Sequence, residues 1–577
     1  MNKKAVLYFS VVFFLFFFSF CLEKDVFNIK KQRLSKIEKQ HLDQKNHPFI
    51  VVIPSYNCSE LVAKIFKSLN SQTYRNFKVI FIDDGSSDNT FEKAKEHEHL
   101  LQNIDCKIIR NEKYKGSTEC LYEAAQMLDD DQIILFFEGN CWLTHNNTLE
   151  IFNSYYKKYD IWLAYAQHAN YRTNDPGKVK YVSSNNIFSN SARRKPWHRA
   201  RLKSFYAALF KQVPISNFFF RGKFIPEKYD CAYMLPMLEM AKNRIAFLNE
   251  VHCSYIKKEM KDEVKPSFSK KFKCMQEILR RKPLKSLNTL LLQNSRKDYT
   301  SDLLIFSYDR PLQLYALLES VHKRIKNLSN IAVLYRTSNN SYENGYTFLK
   351  ETFPSVIFVK QPNHKAPKNF KKMTLKTLEM LKSDYLMFAV DDIIVKDQID
   401  IYESVLEMAR TDAYFFSLRL GTHITYCYMG GYKQSIPRYV KVKDNMMAWQ
   451  INASRGDWKY YPSVDMTIFK KDHIMKIFPK ISFRHPVELE QSWLKYFRKY
   501  HKREMIRQVG LSYRNSKIVN IPMNVVCSAN NKNLELYTQE ELLELFEKGY
   551  KIDIDAIKEL SHNAVHIDYN PTFIQRD

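Results

Sequence analysis

The feature of this sequence that most constrains its fold is an alternation of short apolar runs with amphipathic segments, which starts twice along the chain. Short apolar runs bounded by turn residues are typical of buried strands, and apolar residues at helical spacing are typical of helices. In the first half, the predicted strands are Phe49–Ile53, Lys78–Ile82, Lys107–Ile109 and Gln132–Phe137. Because strands that alternate with helices pair in parallel, this pattern predicts an α/β fold with a mostly parallel sheet.

The second half repeats this plan from residue 299 onward. Its predicted strands are Asp302–Phe306, Ile331–Tyr335, Val356–Val359 and Tyr385–Val390. A chain of 577 residues is also too long for a single hydrophobic core. We therefore predict two tandem Rossmann-like domains, over residues 47–255 and 299–577.

Residues 256–298 separate the two predicted domains. From Ile256 to Leu290 the chain carries eleven Lys or Arg and four Asp or Glu residues, with two prolines and little apolar periodicity. Such a composition is typical of a connecting segment. We predict a basic linker here, with a helix from Lys270 to Arg281.

The overall composition excludes several protein classes. Hydrophobic residues make up 45% and charged residues 26% of the chain, which disfavours long disorder, collagen-like repeats and a polytopic membrane protein. The net charge of +27 favours anionic partners, but no nucleic-acid motif is present, and we expect no nucleic-acid partner. The ten cysteines include no Cys-x-x-Cys pair, so neither a zinc site nor a disulfide framework is predicted.

Residues 1–24 form a predicted signal peptide or membrane anchor. The apolar run from Ala5 to Leu22 approaches the length of about 20 residues that crosses a bilayer. No small-residue cleavage site precedes Leu22, which favours an uncleaved anchor. Basic residues after the run outnumber the two lysines before it, so the positive-inside rule favours a cytoplasmic body, while the opposite topology remains open.

A series of motifs in the first half resembles glycosyltransferase family 2, whose members have the GT-A fold. The motifs, in chain order, are Val51–Asn57 (VVIPSYN), Phe81–Thr90 (FIDDGSSDNT), Phe137–Leu143 (FEGNCWL), Lys203–Phe210 (KSFYAALF) and Asp230–Met240 (DCAYMLPMLEM). The resemblance covers residues 47–255. It implies a nucleotide-sugar donor, bound at the carboxyl edge of the sheet.

The resemblance assigns donor binding to residues that end the first two strands. Pro54 and Tyr56 suit a ledge for the nucleobase, and Asp83 and Asp84 suit hydrogen bonds to the base or ribose. A turn that caps the following helix is the alternative role of the two aspartates.

The metal site of the first half departs from the family pattern. The family's Asp-x-Asp motif holds a divalent ion on the diphosphate, and the aligned residues here are Glu138 and Asn140. One anionic ligand is lost, so we expect lower affinity for Mn²⁺ or Mg²⁺. Asp230 aligns with the family's general base, and the alternative is a helix N-cap.

The second half resembles a GT-A glycosyltransferase more distantly. Ser307 and Arg310 follow its first strand and are assigned to donor binding, and Asp391 and Asp392 resemble the acidic metal-binding motif. Two adjacent carboxylates at a strand end repel one another unless a cation or hydrogen bonds relieve them, which makes a divalent-metal site plausible. Glu490 is the candidate base, with Glu488 as its substitute.

Together these features predict a membrane-anchored glycosyltransferase with two GT-A-like domains. It would move sugar from a nucleotide-sugar donor to a glycan or lipid-linked glycan acceptor, with inversion. In the alternative, only the C-terminal half is catalytic, and the N-terminal half is a degenerate ligand-binding module.

Overall fold

The computed structural model describes residues 47–182, 186–187, 191–194, 198–225, 229–257, 268–290, 299–363, 366–443, 445–501, 505, 507–524 and 536–576. The predicted anchor, residues 1–24, lies outside this set, as does much of the predicted linker. Within the described residues, no helix has the length and apolar character needed to span a bilayer.

The described chain divides into two compact units. The first comprises residues up to Ser117, Asp129–Phe210 and Met234–Leu290, and the second comprises Thr118–Leu128, Lys211–Tyr233 and the chain from Leu291. Each unit contains one large mixed sheet.

The first unit is a mixed α/β structure built on an eight-stranded sheet. Its strands are β1 (Phe49–Ser55), β2 (Phe77–Asp83), β3 (Cys106–Arg110), β4 (Ile133–Phe136), β5 (Cys141–Leu143), β6 (Leu163–Asn170), β7 (Leu202–Tyr206) and β8 (Ile245–Tyr255). All seven residues of β1 are buried, as expected for a central strand covered on both faces.

The helices up to residue 290 follow the predicted alternation. They are α1 (Val62–Asn70), α2 (Thr90–His97), α3 (Ser117–Gln126), α4 (Thr148–Lys158), α5 (Ala207–Lys211), α6 (Cys231–Ala241) and α7 (Phe268–Leu279). In α1 the buried residues Val62, Ile65, Phe66 and Leu69 lie at helical spacing and pack on the sheet core.

The second unit is built on a nine-stranded sheet. Its strands are β9 (Ser301–Tyr308), β10 (Leu328–Arg336), β11 (Ile357–Lys360), β12 (Tyr385–Val390), β13 (Phe415–Ser417), β14 (Tyr439–Lys443), β15 (Met446–Gln450), β16 (Thr467–Lys470) and β17 (Val509–Tyr513). Its helices are α8 (Pro311–Arg324), α9 (Asn340–Thr352), α10 (Phe370–Met380), α11 (Ile401–Thr411), α12 (Lys471–Ile477), α13 (Pro486–Tyr500) and α14 (Gln539–Glu547).

Short two-stranded ribbons complete the second unit. They pair Phe219–Phe220 with Lys223–Phe224, Ile325–Lys326 with Ile399–Asp400, Ile393–Val395 with Ile518–Asn520, Tyr426–Cys427 with Tyr432–Lys433, and Tyr550–Ile552 with Phe573–Gln575. The ribbon of Ile393–Val395 and Ile518–Asn520 is antiparallel and begins directly beyond the candidate acidic motif.

The two large sheets share one strand order. The first runs β3-β2-β1-β4-β7-β6-β8-β5, and the second runs β11-β10-β9-β12-β16-β13-β17-β15-β14. Apart from β5, β14 and β15, each sheet places its strands in the chain order third, second, first, fourth, sixth, fifth, seventh. The parallel and antiparallel pairings also agree between the two sheets at every one of these positions.

A left-handed residue follows the first strand in both units. Asn57 and Asp309 each have φ of 51°. Asn57 Oδ1 accepts a 2.8 Å hydrogen bond from the Ser87 backbone N–H, and Asp309 Oδ1 accepts one of 2.8 Å from the Ser338 N–H. Asn and Asp tolerate this conformation better than other side chains. In each unit they therefore tie the end of the first strand to the loop after the second strand.

The predicted parallel strands are confirmed in both halves, and the predicted linker helix is present as α7. The sequence did not predict the antiparallel part of either sheet. Strand β7 (LKSFY) shows why, since it carries Lys203, which is completely buried. A charged residue inside a short strand breaks the apolar pattern on which the prediction depends.

Candidate functional site

Asp83 lies at the carboxyl edge of the first sheet. It ends β2, beside Ser55 of β1, and is completely buried. Its Oδ1 accepts a 3.3 Å hydrogen bond from the Ser86 N–H, and Arg110 Nε lies 3.4 Å from Oδ2. Burial raises the pKa of Asp83, and the Ser86 hydrogen bonds and the Arg110 charge oppose that rise. Oδ2 has no hydrogen-bond partner among the described residues, so it can accept a hydrogen bond from a ligand.

Asp84 is also buried, but donors of its own chain surround its carboxylate. Oδ1 accepts hydrogen bonds from Asn111 Nδ2 at 2.9 Å and from the Lys115 N–H at 3.0 Å, and Oδ2 accepts one from the Gly116 N–H at 2.7 Å. These bonds hold the loop 111–116 at the end of β2. The geometry gives Asp84 a positioning role, and its predicted contact with the donor stays a prediction.

The loop held by Asp84 supplies an aromatic ring that the sequence analysis did not assign. The Tyr114 ring lies 4.7 Å from the partly exposed Tyr56 ring, at an interplanar angle of 60°. Pro54 is buried within β1, two residues before Tyr56. A Cβ at Gly85, where φ is +69°, would lie 2.7 Å from the Lys113 and Tyr114 backbone, so a glycine there permits the close approach of the loop. The two tyrosines form a surface on which a nucleobase could stack.

Glu138 follows β4 and is surrounded by cations. It forms ion pairs with Arg199 and, at 3.8 Å, with Arg201, and the Ser117 hydroxyl donates to its Oε1 at 3.0 Å. Burial acts to raise the pKa of Glu138, but the charges of Arg199, Arg201 and Lys203 outweigh burial and lower it. Arg199, Arg201 and Lys203 therefore lie close enough to Glu138 for their charges to favour its ionised form.

The placement of these cations follows from strand geometry. Strand β7 pairs antiparallel with β4, and Lys203 lies opposite Phe136, the last residue of β4. Arg201 and Arg199 precede Lys203 by two and four residues. Both arginines lie just before β7, so the pairing of β7 with β4 brings them close to Glu138, which follows β4.

Asn140 is tied to the segment after β8. Its side-chain Nδ2 donates a 3.0 Å hydrogen bond to the Ile256 backbone carbonyl. The backbone carbonyl of Asn140 accepts a 3.0 Å hydrogen bond from the Ile256 N–H. Both carboxylate oxygens of Glu138 already contact guanidinium groups. With its oxygens paired in this way, Glu138 has no carboxylate oxygen free of a cation, and the metal role of Glu138 and Asn140 stays a prediction.

Asp230 immediately precedes α6 and is 1% exposed. Its backbone carbonyl accepts a 3.1 Å hydrogen bond from the Tyr233 N–H in the first turn of the helix. Asp230 belongs to the second compact unit, whereas Asp83 and Glu138 belong to the first. Its role as a general base stays a prediction.

The second unit brings Ser307, Arg310, Asp391 and Asp392 into direct contact. Asp391 Oδ2 accepts hydrogen bonds from the Ser307 hydroxyl at 2.8 Å and the Tyr308 N–H at 3.2 Å. Arg310 Nη1 lies 2.9 Å from Asp391 Oδ1 and 3.3 Å from Asp392 Oδ2. The Arg310 guanidinium thus bridges the two carboxylates that the sequence assigned to a metal.

Asp392 differs from Asp391 in retaining a buried acceptor. Its Oδ1 has no hydrogen-bond partner within the part of the chain that the structure describes. Burial raises the pKa of Asp392 to about 6, with Arg310 opposing the rise and Asp391 and Asp465 adding to it. A buried carboxylate oxygen with a raised pKa is a position where a cation would be stabilised.

Asp465 is an acidic residue of this site that the sequence analysis missed. Its Oδ2 lies 3.6 Å from His566 Nε2, and its Oδ1 lies 3.5 Å from Asn520 Nδ2. The Asn520 Oδ1 is also buried and has no partner among the described residues. Asp392 Oδ1 and Asn520 Oδ1 are thus two buried oxygens that accept no hydrogen bond from the described residues, and carboxylate and amide oxygens are ligands that a divalent cation takes. In the described residues, no three His, Cys, Asp or Glu side chains already stand in a metal-holding arrangement.

Glu490 lies in the first turns of α13 and faces the same acidic group. The Tyr460 hydroxyl donates to its Oε2 at 2.9 Å, and the Val464 N–H donates to its Oε1 at 2.7 Å. Burial, together with the negative charge of Asp465, raises the pKa of Glu490 to about 8. Glu488 instead pairs with the exposed Arg484 at 3.1 Å, which favours Glu490 over its substitute.

A stacked aromatic and guanidinium pair follows the first strand of the second unit. The Arg336 guanidinium lies 3.8 Å from the centroid of the Tyr308 ring. Tyr308 and Arg336 are register neighbours on β9 and β10, as Ser55 and Asp83 are on β1 and β2. The second unit therefore presents a cation where the first presents a carboxylate.

Comparison with known proteins supports the interpretation of the N-terminal half of the chain. Residues 50–219 match the family model described as Glycosyl transferase family 2. The bifunctional glycosyltransferase pgtA of Dictyostelium discoideum is 28% identical over 193 residues, which are 30% of this chain and 24% of that protein. The UDP-Glc:alpha-D-GlcNAc-diphosphoundecaprenol beta-1,3-glucosyltransferase WfgD of Escherichia coli is 27% identical over 101 residues, 18% of this chain and 38% of that protein. The chain thus spans well under half the length of these relatives.

Solved structures give weaker matches. Residues 1–349 of S. aureus TarS in complex with UDP-GlcNAc match with a TM-score of 0.32 and 17% identity, over 40% of this chain and 65% of that chain. Glucosyl-3-phosphoglycerate synthase from Mycobacterium tuberculosis, with Mn²⁺, UDP and glucosyl-3-phosphoglycerate, matches with a TM-score of 0.30 and 12% identity, over 43% of this chain and 83% of that chain. These scores are too low to establish a shared fold.

The sequence match and the geometry of the first sheet agree on the same residues. The matched segment contains β1 from its second residue onward and all of β2 to β7. It also contains Tyr56, the loop with Tyr114, Asp83 and Glu138. Residues 50–219 match the model of glycosyltransferase family 2, in a chain whose remaining residues that model does not cover.

Proposed function

We propose that this protein is a nucleotide-sugar-dependent glycosyltransferase with two GT-A-like sites. The observation that carries the proposal is the shared strand order of the two sheets, with an acidic group after the fourth strand of each. In open α/β sheets ligands bind at this edge. The family match of residues 50–219 supports the reaction class, and the common topology extends it to the second unit.

In the first unit, the donor nucleotide would lie along the ends of β1 and β2. The Tyr56 and Tyr114 rings would stack the base, and the unpartnered Oδ2 of Asp83 would accept a hydrogen bond from the base or ribose. Arg199 and Arg201 would face the diphosphate and stabilise the charge that develops as the sugar leaves. These two arginines supply positive charge at the position that the family gives to a metal.

In the second unit, Glu490 would take the proton of the acceptor hydroxyl. The acceptor oxygen then attacks the anomeric carbon as the bond to the diphosphate breaks, which inverts the configuration at that carbon. A divalent cation held by Asp392, Asp465 and Asn520 would supply Lewis-acid stabilisation of the leaving diphosphate. Arg310 keeps Asp391 and Asp392 in place through its two ion pairs.

A second candidate function is favoured by the ion pairs of Glu138. Because its carboxylate is already neutralised, the first unit would bind a nucleotide sugar without turning it over, and only the second unit would be catalytic. The first unit would then act as a ligand-binding module. Asp230→Asn separates the two cases, since it changes the product profile only if the first site is active.

The predicted anchor also enters the proposal. Attached to a membrane through residues 1–24, with its body in the cytoplasm, the protein would meet lipid-linked glycan acceptors at the surface of the bilayer. Glycan and lipid-linked glycan both remain acceptors within the proposal.

The test is a donor screen on the full-length protein. UDP- and GDP-sugars are supplied with Mn²⁺, and release of nucleoside diphosphate is measured for the wild type, Asp230→Asn and Glu490→Gln. We expect turnover of at least one donor and a marked loss in Glu490→Gln. Release of nucleoside diphosphate that is equal in all three proteins, or no release from any donor, would contradict the proposal.

A further inference from the structure

The second unit contains a polar cavity separate from its acidic site. The cavity has a volume of about 320 Å³, and its lining includes Lys396, His423, Ser516, Lys558 and His562. None of these side chains contributes to the donor, metal or base roles proposed above. The lining also includes Asp397 and Glu559, and Asp397 forms an ion pair with Lys517 beside the cavity.

Three chain segments connect this cavity to the acidic site. Lys396 follows Asp392 by four residues, Ser516 precedes Asn520 by four, and His562 precedes His566 by four. Two of these segments form the ribbon of Ile393–Val395 and Ile518–Asn520, and the Lys396 N–H donates a 2.9 Å hydrogen bond to the Lys517 carbonyl. The third segment runs alongside, since Asn520 pairs with His566. At about 3.3 Å per extended residue, the cavity lies roughly 13 Å from Asp392.

The polar groups of the cavity form one hydrogen-bonded cluster. The Ser516 hydroxyl lies 3.1 Å from His423 Nε2 and 2.9 Å from His562 Nε2. Lys396 Nζ lies 3.5 Å from His562 Nδ1 and donates to the Leu560 carbonyl at 3.4 Å. Within the described residues, no carboxylate makes ion-pair contact with Lys396 Nζ. The cluster therefore holds a half-buried ammonium group without a direct counterion.

We propose that this cavity is an anion subsite, which binds a phosphate or carboxylate group on the sugar acceptor while the acceptor hydroxyl reaches Glu490. The proposal rests on the proposed glycosyltransferase function of the second unit. It names the acceptor class as one that carries a negative charge at a distance from its reacting hydroxyl, since the cavity lies roughly 13 Å from Asp392. Lys396 and Lys558 supply charge, and Ser516 supplies a hydroxyl donor.

The two histidines would strengthen anion binding at lower pH. Burial and the Lys396 charge lower the pKa of His562 to about 4 and also lower the pKa of His423. A bound anion offsets the charge of Lys396, so both pKa values rise and the imidazoles can become donors. Asp397, Glu559, Lys517 and Lys558 are the other charged groups at the cavity.

The test is calorimetric titration of the full-length protein with inorganic phosphate, glucuronate and glucose in the presence of saturating UDP, which occupies donor sites. We expect phosphate or glucuronate to bind and glucose not to bind. Lys396→Met should weaken that binding by about tenfold or more, because it removes the charge-assisted contact. The matched control is Lys441→Met, which removes an exposed lysine of the same unit from β14.

Each outcome decides the matter. Binding of phosphate alone identifies a phosphate-bearing acceptor, and binding of glucuronate alone identifies an acidic sugar. Absence of binding by both anions, or equal losses in Lys396→Met and Lys441→Met, overturns the subsite. If Lys396→Met does not fold by circular dichroism, Lys558→Met replaces it, because Lys558 is exposed and can be changed without disturbing the core.

Two further measurements separate this proposal from the proposed function. UDP should bind equally to the wild type and to Lys396→Met. If UDP does not bind at all while phosphate binding depends on Lys396, the glycosyltransferase proposal fails and the anion subsite stands. Sulfate, whose charge is constant between pH 5.5 and 8, should bind several-fold more tightly at the lower pH. Sulfate binding that does not change with pH would remove the histidines from the subsite.

Discussion

The two units differ in where the arginines come from that pair with the carboxylates at the sheet edge. Both place carboxylates after the fourth strand of a similarly ordered sheet, and both neutralise those carboxylates with arginine. In the first unit, Arg199 and Arg201 come from the segment just before β7 and form ion pairs with Glu138. In the second, Arg310 comes from the end of the first strand and leaves Asp392 Oδ1, Asp465 and Glu490 as an acidic group. The same strand order therefore accompanies two different arrangements of charge.

The largest expected difference concerns the general bases. Glu490→Gln should lower kcat of the second-unit transfer by about 10²–10⁴, because the acceptor hydroxyl loses its proton acceptor. Asp230→Asn tests the predicted base of the first half of the chain in the same way. Initial rates with saturating donor measure both effects. A rate for Glu490→Gln within twofold of the wild type would contradict the assignment.

The ion pairs of Arg310 and Arg201 differ in burial, so their removal should lower the free energy of unfolding by different amounts. The Arg310 side chain is 7% exposed, whereas Arg201 is 18% exposed. Arg310→Met leaves two buried carboxylates without their cation and should lower the free energy of unfolding by about 3–5 kcal/mol. Arg201→Met should cost less, because Arg199 still contacts Glu138.

Denaturant unfolding measures the stability effect. Addition of Asp392→Asn to Arg310→Met should restore part of the lost stability, because it removes one uncompensated buried charge. If Arg310→Met and Arg201→Met lower the free energy of unfolding equally, burial does not decide how much each ion pair contributes.

Chelation should separate the two sites. EDTA should lower the Glu490-dependent turnover, since the proposed function places a divalent cation on Asp392, Asp465 and Asn520. UDP binding that depends on Arg199 should survive EDTA. Calorimetry with UDP and turnover assays on the same sample measure the two responses. Loss of both in EDTA would place a metal in the first unit as well.

Arg199→Met should weaken UDP binding to the first unit by about tenfold, because a charge-assisted contact to the diphosphate is lost. Arg172→Met is the matched control, since Arg172 is an exposed arginine of the same unit. Competition binding with a fluorescent UDP analogue measures the change. An effect of the same size in Arg172→Met would show that only net charge matters.

The smallest expected effect is a displacement along the pH axis. Glu490 acts as a base only when ionised, so turnover should rise with pH through its raised pKa of about 8. Asp465→Asn removes a negative charge that raises this pKa, so the rising part of the curve of turnover against pH should move to lower pH. Asp472→Asn is the control, because the Asp472 side chain is 90% exposed. A pH profile that does not move in Asp465→Asn would exclude this coupling.

The sequence predicted the parallel part of both sheets and the residues at their edges, because those depend on local patterns. Apolar runs end at Ser55, Asp83 and Val390, and the polar residues that follow lie at the sheet edge as expected. It could not predict which carboxylates face cations. Arg199 and Arg201 reach Glu138 through a long-range antiparallel pairing, which local periodicity does not reveal.

Asp465 escaped prediction for a similar reason. It lies far along the chain from both Asp392 and Glu490, between short elements with no strong period, and its role is visible only once the chain is folded. The alternating basic residues of 199–203 were a signal in the sequence, since every second position is cationic. That pattern distinguishes an extended cationic face from a solvated helix face.

The alternation of Arg199, Arg201 and Lys203 makes this stretch sensitive to length as well as to composition. An insertion of one residue between Arg201 and Lys203 would leave the protein's charge unchanged, yet it would shift both arginines by one position relative to β7 and move their guanidinium groups away from Glu138. Deletion or insertion scanning across this stretch would therefore be more damaging than exchange of one cation for another.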